Sequence, residues 1–242
     1  MSDQDFFAPP KRGRRYAITA VAAVLAVLLI VGAFWLGRDT GGPDDAAPDD
    51  DASSVDPETS SPGMDSGDAL TVIAGERTEA GVSVGYPHTT VGAVSAAVEY
   101  VSQLTSTLDP DRAVEIADVV VHPDSELKAE DAAQGPVNTR KDLGLPEEGE
   151  LPDGVSTVMA PVSYQLRDHA DDEMTVLLLA YWTYTPETGE PRTEVAVLPA
   201  VMRWNGDDWK WFTQRDVADY SDLSADPASD DAKSKGWLGL TR

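Results

Sequence analysis

The sequence predicts an α+β fold in which N-terminal helices pack on one face of an antiparallel sheet. Three observations carry this. From Thr89 to Gln134, apolar residues recur at three- and four-residue spacing, the period of a helix face. From Ser156 to Gln214, the chain changes to runs rich in branched and aromatic residues, the composition of strands. The breaks between those runs, "DHADD", "PETGEP" and "NGDD", are turn chemistry. Helices followed by a strand meander is the order of an α+β domain rather than of alternating parallel units.

The first helix follows from Val94, Ala97, Val98, Val101, Leu104 and Leu108, which share one face, with Thr89 or Thr90 as its cap. The second follows from "DPDRAVEIADVVV", with Asp109 as N-cap, Pro110 at the first helical position and Asp111 in the first turn. A third, shorter helix is expected from Ser125 to Gln134, stopped by Gly135. The strands are "STVMAPVSYQL", "EMTVLLLAYWTY", "RTEVAVLPAVMRW" and "DWKWFTQ". With "NGDD" as a four-residue loop, Trp204 faces Trp209 and Met202 faces Trp211 across a hairpin.

This domain, expected over residues 69–215, is one part of 242 residues with a formal net charge of −25 and no cysteine. Without cysteine there is no disulfide framework, thiolate metal site, Cys nucleophile or lipoprotein acylation site. The negative charge argues against a nucleic-acid partner, because neutralising phosphates supplies most of that affinity. Upstream, "YAITAVAAVLAVLLIVGAFWL" at residues 16–36 carries no charge. As a helix it would be about 31 Å long, the thickness of a bilayer core. "KRGRR" precedes it within a basic tail at 1–15, and acids follow Arg38. The positive-inside bias therefore puts the N-terminus in the cytoplasm and the C-terminal bulk outside the cell membrane. The run is too long for a signal peptide, and "GAFWLGRDT" is a poor cleavage site. Residues 37–68, acidic and rich in Pro, Gly and Ser, are expected to be a disordered, charge-extended linker. Residues 216–242 form an acidic tail ending in "GWLGL", whose Trp237, Leu238 and Leu240 either dock on the domain or serve a partner.

Chemical signals are sparse. "GVSVG" at residues 81–85 spells a G-x-S-x-G nucleophile elbow around Ser83. An elbow needs a core strand before the serine and a helix directly after it. Here the upstream "GERTEAG" is polar, and Tyr86-Pro87 intervenes downstream. Partners would have to come from Asp118, Asp168, His122 and His169. The match is read as chance, and Ser83 as part of an extended lead-in with Gly81 and Gly85 permitting turns. His88, His122 and His169 lack the spacing of metal ligands on one helix face. "DHADDE", residues 168–173, could gather a calcium ion but lacks the glycine and alternating acids of a calcium loop. It reads instead as a hairpin turn. Trp182, Trp204, Trp209 and Trp211 could stack sugars; at alternating strand positions they read as core. No catalytic, cofactor-binding or metal residue is therefore assigned.

"GYPHTTVGAVSAAVEY" followed by "RWNGDDWKW" resembles single-pass membrane proteins of actinobacteria. The matching positions are Gly85, Tyr86, Pro87, Thr89, Gly92 and Ala93, then Trp204, Gly206, Asp208 and Trp209, with "LGL" at 143–145. The element order is similar to the nuclear-transport-factor-2-like cone, a curved sheet wrapped over helices. That resemblance implies a scaffold component of conjugative type IV secretion, non-enzymatic and without cofactor. Its implied partners are other membrane or secretion-apparatus proteins, with the oligomeric state left open between a monomer and a homo-oligomer; neither nucleic acid nor a small ligand is expected. The alternative is an exported domain that binds a ligand or cell-wall fragment in the cone pocket, through groups such as Tyr164, Tyr184 or His169.

Overall fold

The computed structural model describes residues 69–215 and 218–242. The expected basic tail at 1–15, span at 16–36 and linker at 37–68 lie outside the described residues. Among the described residues no helix is long and apolar enough to cross a membrane.

Local signals start the helices as expected. Thr89 is extended, and its hydroxyl accepts from the Gly92 N–H at 3.1 Å, starting α1 (Thr90–Thr105). Asp109 accepts from the Asp111 and Arg112 N–H groups and starts α2 (Pro110–Val120), with Pro110 in the first turn. The third helix departs from expectation. Residues Ala129–Ala133 form a 3-10 turn, and α3 runs over Gln134–Asp142. Gly135 and Pro136 begin this helix instead of ending it. First-turn N–H groups have no intrahelical partner, so proline is tolerated there.

The sheet holds six strands in the order β1 (Leu70–Thr71), β8 (Leu238–Thr241), β4 (Ser156–Arg167), β5 (Glu173–Thr185), β6 (Arg192–Trp204) and β7 (Trp209–Trp211). It is curled and mostly antiparallel, a half-barrel in a mixed α+β domain. The β6–β7 hairpin has the expected register, Trp204 opposite Trp209 and Met202 opposite Trp211. β2 (Arg77–Glu79) and β3 (Val82–Val84) form a separate hairpin ahead of α1.

β5 is central, and Val176 to Ala180 are all fully buried. Both faces of the sheet are therefore covered. On one face, Val176, Leu178, Ala180, Ala200 and Met202 pack with the Ala-rich side of α1. On the other, Leu177 and Leu179 lie beneath Ala225, Ala232 and Trp237. Each buried Val, Leu or Met among these contributes on the order of 1.5–3 kcal/mol. The tail is thus not separate from the domain. Its "GWLGL" enters the sheet, where β8 pairs antiparallel with β4 and parallel with β1. The Trp237 Nε1 donates to the Leu223 carbonyl at 2.9 Å.

Candidate functional site

The two motifs that carry the family resemblance meet in space as a lock. The buried Asp208 carboxylate accepts from the Tyr86 N–H at 2.9 Å, the Tyr100 hydroxyl at 3.3 Å and Lys210 Nζ at 3.1 Å. Trp209 Nε1 donates to the Pro87 carbonyl at 3.0 Å. His88 stacks on Trp204 at 4.4 Å, and its Nε2 lies 2.9 Å from Asp172. A Cβ on Gly92 would sit 2.0 Å from the Pro87 carbonyl oxygen, so only glycine lets α1 begin there. Burial first, then nearby carboxylates, push the Tyr86 hydroxyl up to about 12 and hold that of Tyr100 higher still. Both hydroxyls therefore stay neutral, and that of Tyr100 donates to Asp208 and to the Trp209 carbonyl, fixing the β6–β7 hairpin to α1. The lock ties the β6–β7 hairpin to the segment that leads into α1.

The other candidates are dispersed. Ser83 lies in β3, flanked by Gly81 and Gly85 at φ of 73° and 78°. Its hydroxyl accepts from the Gly75 N–H at 2.8 Å, and its N–H bonds Glu99. Neither contact is a histidine. The His122 N–H bonds the Trp211 carbonyl at 2.9 Å, and its Nδ1 accepts from the Asp124 N–H at 3.2 Å. Burial holds this imidazole below its ordinary value, Arg203 acting in the same sense and Asp124 against it. His169 is exposed. The "DHADDE" segment is the β4–β5 turn, with the Ala170 N–H bonded to the Glu173 carbonyl. Among the described residues no group of His, Asp and Glu is arranged to hold a metal ion. Trp209 is fully buried, while Trp182, Trp204 and Trp211 are partly buried against the core.

A cavity of about 620 Å³ opens beside β7, lined by Leu104, Leu127, Pro199, Val201, Trp211 and Phe212 with the carboxylates of Asp131, Asp168 and Glu173. Its size is that of a small-molecule site. None of Tyr164, Tyr184 and His169 lines it; Tyr164 and Tyr184 are buried elsewhere.

The most unusual surface is the outer edge of β6. β6 pairs with β5 from Arg192 to Arg203, but β7 covers only Met202 to Trp204. The Trp204 N–H bonds Asp172, the inner side, and the Val201 carbonyl accepts from the Phe212 N–H, the outer side. Strand alternation then turns the N–H and C=O groups of Thr193, Val195 and Val197 outward. Among the described residues no hydrogen bond reaches them. Val195 and Val197 are only partly buried. An unpaired, apolar strand edge is a template for another strand. The sequence carried one signal of it. Proline is confined to edge strands, and Pro199 sits inside β6.

A family model described as a domain of unknown function (DUF8175) matches residues 75–230. No curated protein matches the chain, and no solved structure does. The matched span is more than half of the 242 residues, so the chain belongs to this family.

Proposed function

We propose that this DUF8175 member is a membrane-tethered assembly protein that recruits other proteins by strand addition along β6. The sequence supplies the tether: a cytoplasmic basic tail, one span at 16–36 and an acidic spacer. The resemblance supplies a setting, the scaffold of a conjugative type IV secretion apparatus, and a nuclear-transport-factor-2-like identity for the half-barrel. The single observation that carries the reading is the open edge from Thr193 to Val197. Main-chain bonds to such an edge give affinity, and alternate side chains give specificity. The ligand-binding alternative has the cavity in its favour. It is the weaker reading, because none of the polar groups the sequence offered for it lies there.

The test places a photo-crosslinking side chain at Val195 of the whole chain in its own cells, and at Thr78 on the exposed β2 as a control. Protein adducts should form at Val195 well above the yield at Thr78. Equal yields, or no adduct at Val195, would reject strand addition.

A further inference from the structure

The open donors on β6 are symmetrically placed. At outward-facing parity the chain reads Pro191, Thr193, Val195, Val197, Pro199. Proline has no N–H, so three donors are bracketed by two positions that have none. The pattern is a palindrome about Val195.

From this symmetry we infer that the β6 edge pairs with the same edge of a second copy, antiparallel, about a twofold axis through Val195. The inference rests on the strand-addition reading above and names the strand that is added. In this register Val195 faces its own counterpart, and Thr193 faces Val197 of the other copy. Every open N–H then meets an open C=O, three donors from each copy. The two prolines fall opposite each other, where neither chain has a donor to leave unpaired. Moving the axis to Val197 would set Val195 against Pro199, which offers no N–H. It would also set Thr193 against Val201, whose carbonyl already accepts from Phe212. Of these registers, the one centred on Val195 pairs all three open N–H groups and leaves unpaired only the carbonyls of the two opposed prolines. The interface is isologous, as a twofold axis requires.

Side chains agree with the pairing. Thr193, Val195 and Val197 lie on the face that carries Trp237 and Leu223, and the second copy extends that apolar row. On the other face, Glu194 lies diagonal to its counterpart, a like-charge contact. The chain is also strongly acidic. Self-pairing therefore strengthens as salt screens these charges, whereas capture of a basic strand would weaken. A ladder this short buries less than the roughly 1,200 Å² of a standard stable interface. Anchoring two copies to one membrane raises their effective concentration and compensates.

The absence of cysteine makes the register directly testable in the full chain in membranes. Residues opposed in a hydrogen-bonded antiparallel pair have Cα atoms about 5.5 Å apart, within disulfide reach. Val195→Cys should oxidise to a disulfide dimer, and the yield should rise between about 0.05 and about 0.5 M salt. Thr193→Cys alone places the thiols four residues apart, roughly 13 Å, and should give no dimer. Mixed with Val197→Cys, it should give the mixed dimer. Pro199→Val adds a donor opposite the Pro191 carbonyl and should raise the dimer fraction several-fold. Equal yields at positions 193 and 195, or a yield that falls with salt, overturn the inference. If Val195→Cys links instead to a different protein, self-pairing fails while strand addition stands. If photo-crosslinking at Val195 is also silent, both fail.

Discussion

On the β4 side of the sheet the chain's own C-terminus supplies the next strand, and β1 closes behind it. Where β8 does not reach, the Met159 N–H finds the Ser106 hydroxyl at 2.8 Å, and the pairing of β4 with β5 shifts register between Pro161 and Ser163. Strand, side-chain cap and bulge are the usual means by which an edge is protected. On the β6 side, among the described residues, only β7 is added, three residues long, and the stretch from Thr193 to Val197 keeps its donors and acceptors free. The same molecule closes one edge by strand addition in cis and leaves the other with the same chemistry unsatisfied. On the proposed reading, that difference gives stability to the first edge and recognition to the second.

The contrast makes the largest effect fall on the closed side. Trp237 is only 5 % exposed and holds the segment before β8 against Leu177 and Leu179. Trp237→Ala should cost roughly 3–5 kcal/mol in urea unfolding and speed hydrogen exchange in β8 and β1. A loss below about 1 kcal/mol would mean that the tail contributes little to the fold, and the assignment of that edge would fail.

On the open side the prediction is a small change in stability and a large one in assembly. Val195→Pro deletes an N–H that bonds nothing in the described fold. Proline is tolerated where the strand N–H faces solvent, so unfolding should shift by less than about 1 kcal/mol. Adduct formation at a crosslinker on the neighbouring Val197 should nevertheless be lost. A variant that unfolds would show that the edge is structural after all.

How much of this was legible follows from the range of each interaction. The caps Thr89 and Asp109, and the pairing of Trp204 with Trp209, are set by residues close in sequence, and the structure has them as expected. The C-terminal strand was not legible, because Leu70 opposite Leu240 is a contact across the whole domain with no local pattern. Gly135 misled because glycine is favoured just past a helix end, whereas the Pro136 that follows it suits a first turn. The open edge lay between these cases. Periodicity shows a strand but not whether it has a second neighbour, and Pro199 was the one residue that separated the two.

The smallest effect concerns the short strand that ends the open edge. β7 is held from outside by Val121 and His122, through the Val121–Trp211 bridge and the bond from the His122 N–H to Trp211. His122 Nδ1 accepts from the Asp124 N–H, which requires the neutral ring. Its native value lies below the ordinary 6.5, mainly through burial. As pH falls below 6.5 the unfolded chain binds a proton there that the native chain refuses. The stabilisation is therefore complete above that pH and is lost on acidification toward the native value, by at most about 1.4 kcal/mol per pH unit. His122→Asn keeps an acceptor near Nδ1 and has no such titration. Urea unfolding between pH 7.5 and pH 5.5 should fall less steeply for this variant than for the parent chain. Parallel profiles would show that His122 titrates normally and that β7 is not clamped by a neutral ring.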